Sequence, residues 1–177
     1  MRQILLISTV FGVIQFSDAR GSQPLMRARA TMFAKGNLQS EIGMVDFIQK
    51  ENMVKIGGVV RGLTPGFHGF HVHENGNLGN GCADAGDHYN PFNMDHGAPN
   101  DENRHVGDLG NIFASLTNIT LISILDPLVS LIGPNSVVGR AVVIHSDMDD
   151  LGRGNSPMSK TTGNSGGRVA CGVIRLF

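Results

Sequence analysis

Beyond residue 27 no stretch carries apolar residues at helical spacing long enough to build a useful amphipathic helix. Short segments rich in β-branched and alternating apolar residues recur instead: Ala28–Ala34, Glu41–Gln49, Met53–Arg61, His68–Glu74, Gly110–Ala114, Ile119–Leu125, Val138–His145 and Val169–Phe177. Turn-forming clusters separate them, among them Lys35-Gly36-Asn37 and Gly133-Pro134-Asn135. Eight strands without helices predict an all-β, antiparallel sandwich or closed barrel. Apolar residues make up 41% of the chain, enough for a core, but with no Trp and one Tyr that core must rest on Val, Ile, Leu, Phe and Met. A net charge of −1 offers no global attraction to nucleic acid or an anionic membrane.

The first residues read as a separate unit. Arg2 precedes a nearly unbroken apolar run, Ile4 to Ile14, and small residues follow at Ser17 and Ala19. This is the pattern of a removed secretory signal, residues 1–19, cleaved after Ala19. The run falls short of the ~20 residues needed to span a bilayer, so no membrane span is expected. Residues 20–27 read as a flexible leader, and residues 28–177 as one domain. The two cysteines, Cys82 and Cys171, are an even count suited to one disulfide in a secreted, extracellular protein; two buried free thiols are the alternative.

Two long stretches interrupt the strand rhythm. Residues 75–109 are rich in Gly, Asn, Asp, Pro and His, and residues 146–168 in Ser, Gly, Asp and Asn. Long loops in a compact domain are usually functional or disordered. His71 and His73 flank Val72 in a predicted strand, so their imidazoles share one face while Phe70 and Val72 point into a core. The first loop adds His88, His96 and His105, with Asp108 three residues further on. Three imidazoles and a carboxylate suit a closed tetrahedral zinc site. His145 ends an apolar strand and makes a third imidazole with His71 and His73; a fourth would suit copper.

From Gly62 to Ile174 the chain resembles the Cu/Zn superoxide dismutases. The matching pieces are GFHGFHVHE (66–74), GDHYNPFNMDHGAP (86–99), HVGDLGN (105–111), HSDMDDLGRG (145–154) and TTGNSGGRVACGVI (161–174), in family order and spacing. The resemblance implies a Greek-key barrel of immunoglobulin-like sandwich architecture with two functional loops, one copper and one zinc per subunit, and dismutation of superoxide to dioxygen and hydrogen peroxide outside the cell. Copper would be held by His71, His73, His88 and His145, and zinc by His88, His96, His105 and Asp108, with His88 bridging. Asp149 would link His71 to His96, and His68 would be structural. Cys82 and Cys171 would form the intrasubunit disulfide. Arg168 would guide the anion, Thr162 would wall the channel, and the assembly would be a homodimer. A copper/zinc carrier without enzyme activity is the competing reading, but it would need neither Arg168 nor Thr162.

Two departures from the family stand out. The segment Ser156 to Thr161 carries one cation and no acid where many family members have acids and a lysine, and Asp147 follows closely on His145. In the strand Ile119–Leu125, Leu121 and Leu125 fall on the outer face, where relatives usually place charges, and read as a candidate assembly surface. Asn118-Ile119-Thr120 is a glycosylation sequon.

Overall fold

The computed structural model describes residues 25–177. The predicted signal and most of the predicted leader lie outside these residues. Nine strands follow in order: β1 (Met26–Ala34), β2 (Glu41–Lys50), β3 (Met53–Arg61), β4 (Gly66–His73), β5 (Asp108–Ala114), β6 (Ile119–Asp126), β7 (Ala141–His145), β8 (Arg168–Val173) and the short β9 (Arg175–Leu176). A 3₁₀ turn at Ala83–Ala85 and the four-residue α1 (Ser159–Thr162) are the helical elements among the described residues. No helix there is long and apolar enough to cross a membrane.

The strands form one antiparallel sheet in the order β5-β4-β7-β8-β1-β2-β3-β6, with β9 beside β1. β6 returns beside β3 and β7 beside β4, the crossing connections of a Greek key. β5 and β6, at the two ends of this order, pack against each other without a ladder and nearly close the barrel. β1 already begins at Met26, inside the stretch expected to be leader.

The eight expected strands are present, with shifted ends. β7 starts at Ala141 rather than Val138 because Gly139 adopts φ +84° and the Arg140 N–H turns back to the Val137 carbonyl. The last segment breaks at Ile174, whose N–H donates to the Arg140 carbonyl, so its tail pairs with β1 as β9.

Strand alternation sets the core. Phe47 and Val45 of β2, Ile56 and Val60 of β3, Phe70 and Val72 of β4, and Val142 and Ile144 of β7 meet inside the barrel, fully buried. The opposite face of β4 carries His71 and His73, which are buried as well because the two long loops cover them. A second, smaller cluster of Cys82, Ala85, Ala141, Val143 and Cys171 pins the first loop onto the outside of β7 and β8. Its centre is the Cys82–Cys171 disulfide, with Cα atoms 6.0 Å apart.

Candidate metal centre

Backbone pairing continues past the end of β4 and delivers the first loop ligand. The Val72 carbonyl accepts from Tyr89 N–H at 2.8 Å, and Val72 N–H donates to the Gly107 carbonyl at 2.9 Å. His88 therefore lies across from His73 in an isolated bridge. The second loop holds His96, whose N–H donates to the Lys160 carbonyl at 2.9 Å, and His145 ends β7. His105 N–H donates to Asp108 Oδ2 at 2.8 Å, which folds the two side chains toward one point.

The result is two donor clusters with a common member. His71, His73, His88 and His145 form one, and His88, His96, His105 and Asp108 the other; in each, one ligand atom per residue lies within 4.8 Å of all the rest. All seven residues are buried. Around the second point, Asp108 Oδ1 stands 2.9 Å from His88 Nδ1, 2.9 Å from His96 Nδ1 and 3.1 Å from His105 Nδ1. The His88 and His105 Nδ1 atoms are 3.4 Å apart. A tetrahedron around an ion with bonds of about 2.0 Å has edges of about 3.3 Å. In the first cluster His73 Nε2 and His145 Nε2 stand 3.2 Å apart.

Each imidazole has a nitrogen turned to a cluster, and four commit the other to a fixed oxygen. His71 Nε2 pairs with Asp149 Oδ2 at 2.8 Å, and His96 Nε2 with Asp149 Oδ1 at 2.8 Å. His73 Nδ1 donates to the Gly86 carbonyl at 2.8 Å, and His145 Nδ1 faces the Gly166 carbonyl at 3.3 Å. Two of the inward atoms, His71 Nδ1 and His88 Nε2, both in the first cluster, are buried without a hydrogen-bond partner. Leaving such an atom unsatisfied costs about 1–3 kcal/mol, a penalty that an ion at the first cluster would remove. The donor sets fit the two ions: imidazoles alone suit copper, and three imidazoles with a carboxylate suit zinc.

Electrostatics separate the clusters. Burial, reinforced by neighbouring histidines, pushes His71 and His73 well below the ordinary imidazole range and takes His145 down to about 3. Burial also lowers His88, against the pull of Asp108. These rings are neutral near pH 7, with lone pairs available. Burial would lower His96 too, but the hydrogen-bonded carboxylates of Asp108 and Asp149 outweigh it and raise the ring to about 9. Burial opposes ionisation of Asp108, yet hydrogen bonds from His105, His88 and His96 hold its carboxyl well below the usual range.

Arg168 opens β8. Its guanidinium donates to the carbonyls of Cys82 at 2.6 Å, Ala83 at 3.0 Å and Gly86. Burial lowers its pKa, but an arginine remains charged at neutral pH. Thr162 closes α1, half-buried, with its hydroxyl donating to the Met158 carbonyl at 3.3 Å. His68 lies outside both clusters, its ring nitrogens each 2.7 Å from a backbone carbonyl, of His145 and of Thr64. Asn118 is exposed in the turn between β5 and β6.

Sequence reasoning missed the supports. Arg104 is buried, with Nη2 2.7 Å from Asp126 Oδ2 and Nη1 donating to the Asp108 carbonyl at 2.7 Å. Asn111 clamps Asp149 from both sides, accepting its N–H at 2.8 Å and donating to its carbonyl at 2.9 Å. Gly163, at φ +63°, packs so closely on Asp149 and His96 that no side chain fits between them. The adjacency of Arg104 to His105 and of Asn111 to Gly110 was visible, but not the partner of either.

Comparison with known proteins agrees with this geometry. A family model described as copper/zinc superoxide dismutase matches residues 41–174. The extracellular Cu-Zn superoxide dismutase of Haemonchus contortus is 54% identical over 180 residues, spanning 100% of this chain and 98% of that protein. That of Caenorhabditis elegans is 55% identical, over 85% of this chain and 69% of its own length. Among solved structures, that of the clock protein EA4 superposes with a TM-score of 0.80 at 45% identity, covering 89% of this chain and 98% of that one. With the folded part of the chain matched from β2 to the last core residue, Ile174, this protein belongs to the copper/zinc superoxide dismutase family.

Proposed function

We propose that this chain is a secreted enzyme that converts two superoxide anions and two protons into dioxygen and hydrogen peroxide. His71, His73, His88 and His145 would hold copper, and His88, His96, His105 and Asp108 would hold zinc. The observation that carries the reading is His88, whose two ring nitrogens face two different buried donor clusters. Copper, when bound, would supply the one-electron redox chemistry that dismutation requires.

The chain's own residues do the rest. Arg168 keeps a positive charge at the mouth of the site and offers donors to a small two-oxygen anion. Thr162 bounds the opening on the other side and limits the size of the anion admitted. His88 Nε2, buried and without a protein partner, can hold a proton for the peroxide product, while Nδ1 stays beside Asp108 and keeps the ring in place. Asp149 fixes the rings of His71 and His96 together, so that neither can turn its inward nitrogen away.

Secretion is supported by the names of several relatives, which are extracellular enzymes; cleavage after Ala19 is the point that the sequence pattern favours. A homodimer is the assembly that family resemblance favours, and sedimentation of the mature protein tests it. The central test is superoxide decay with purified mature protein, with and without stoichiometric copper at constant zinc. Fast copper-dependent decay is expected. No acceleration with copper verified in the site would overturn the proposal.

A further inference from the structure

β6 is the most exposed apolar element of the barrel. It stands at one end of the sheet order, laddered to β3 on one side and facing β5 without a ladder on the other. Its sequence from Ile119 to Leu125, ITLISIL, contains no charge, no Pro and no Gly. Leu121 is 72% exposed and Leu125 64%, and the cross-strand row Leu121–Val59–Met44 extends the apolar surface over two neighbouring strands. An uncharged, β-prone heptapeptide on an end strand is the pattern that pairs with other copies of itself. Natural sequences flank such strands with groups that block pairing. At the far end Pro127 serves that purpose; at the near end no charge lies between Ser115 and Ile119.

What stands there instead is the one Asn-X-Ser/Thr triplet of the sequence that lacks Pro, Asn118-Ile119-Thr120. Asn118 occupies the turn in a left-handed conformation, φ +62°, and is exposed. Its Oδ1 accepts the Gly62 N–H at 2.6 Å, which fixes the direction of the side chain. Nδ2 makes no hydrogen bond among the described residues, and that is the atom a glycan would occupy. Leu116, 90% exposed, lies two residues before it.

We infer that Asn118 is N-glycosylated and that its glycan shields β6 and the adjoining apolar face from self-association. The inference rests on the secretory reading above. In the transfer, Nδ2 bonds to C1 of the first sugar of a polyprenyl-pyrophosphate-linked oligosaccharide. The C1–O bond to pyrophosphate breaks, the bonding pair leaves with the pyrophosphate, and Nδ2 gives up one proton to the transferase. Thr120, whose hydroxyl the transferase must reach, is buried in the folded barrel, so transfer precedes the docking of β6.

The test uses the full chain expressed in eukaryotic secretory cells. Protein from the medium is mapped by mass spectrometry after peptide-N-glycosidase digestion in heavy-oxygen water. Labelled Asp at position 118 is the expected result. The native glycoprotein, the enzymatically deglycosylated protein and the variants Asn118→Gln and Thr120→Val are then compared by light scattering at equal concentration. Thr120→Val removes the sequon while keeping the Asn118–Gly62 hydrogen bond and a β-branched shape. All three glycan-free forms should show a several-fold larger aggregated fraction, with superoxide decay per copper unchanged. Protein in the medium with unmodified Asn118 overturns the site and leaves the secretory reading intact. Protein absent from the medium overturns both. A glycan at Asn118 whose removal leaves the protein monodisperse overturns the shielding role.

Discussion

Gly163→Ala tests the contact that holds Asp149 against His96, because the substitution reaches both groups without replacing either. A Cβ at position 163 would lie inside the van der Waals shell of Asp149 Oδ1 and 2.5 Å from His96 Nε2. Either the carboxylate moves, and its hydrogen bonds to His71 and His96 open together, or the backbone around Gly163 shifts. Loss of a hydrogen-bonded partner behind metal-binding histidines lowers metal affinity about 10–100-fold. Added to this is the cost of a side chain at φ +63°, about 1–2 kcal/mol. Gly133→Ala is the matched control, with φ +71° and nothing within 4 Å of the new methyl group. In a domain of this size that backbone cost alone lowers Tm by about 2–8 °C. Zinc affinity of the metal-free proteins, measured by competition with a chromogenic chelator, separates the two effects. Gly133→Ala should bind zinc as the wild type does, and Gly163→Ala about 10–100-fold more weakly. Equal zinc affinity in the two variants would refute the claim that Asp149 is held in place by this contact.

The remaining predictions concern charge and covalent closure. Zinc uptake near pH 7 should release about one proton, from His96, and copper uptake by the zinc protein about one more, from His88 Nε2, because a ring that ligates through both nitrogens keeps no N–H; calorimetry in buffers of different ionisation enthalpy reads both. In the metal-free protein the raised His96 contributes stability that is full below about 6.5 and lost as pH rises through about 9, so urea midpoints should fall across that window. Arg168→Ala should slow superoxide decay about tenfold or more and flatten its salt dependence. The wild-type rate should fall with added salt; a rise would mean net repulsion of the anion and contradict guidance by Arg168. Replacing Cys82 and Cys171 by Ala should remove up to roughly 4.5 kcal/mol of stability in denaturant titrations, since the bridge closes a loop with a sequence separation of 89.

The barrel was legible because alternation in a strand is local. Phe70 and Val72 inside with His71 and His73 outside follows from a two-residue period, as does Ile122 inside with Leu121 and Leu125 outside. The grouping of donors was legible for a different reason: the loops hold little apolar material, so their histidines and Asp108 were the residues left to order them. What escaped were contacts between segments far apart in sequence. Nothing near Arg104 announces Asp126, and nothing near Arg168 announces three backbone carbonyls of the first loop. The strand ends moved for a similar reason, since the early end of β7 and the break at Ile174 depend on one mutual pair of hydrogen-bond choices around Arg140.

The Gly86 carbonyl accepts from both His73 Nδ1 and the Arg168 guanidinium. One peptide group is thus a common datum for an imidazole inside the site and the cation at its entrance. If the Cys82–Gly86 segment breathes, ring and guanidinium travel with it, and the span between them changes far less than the position of either. Fluctuation of the loop then alters how often an anion arrives, while the last few ångströms of its path keep their length.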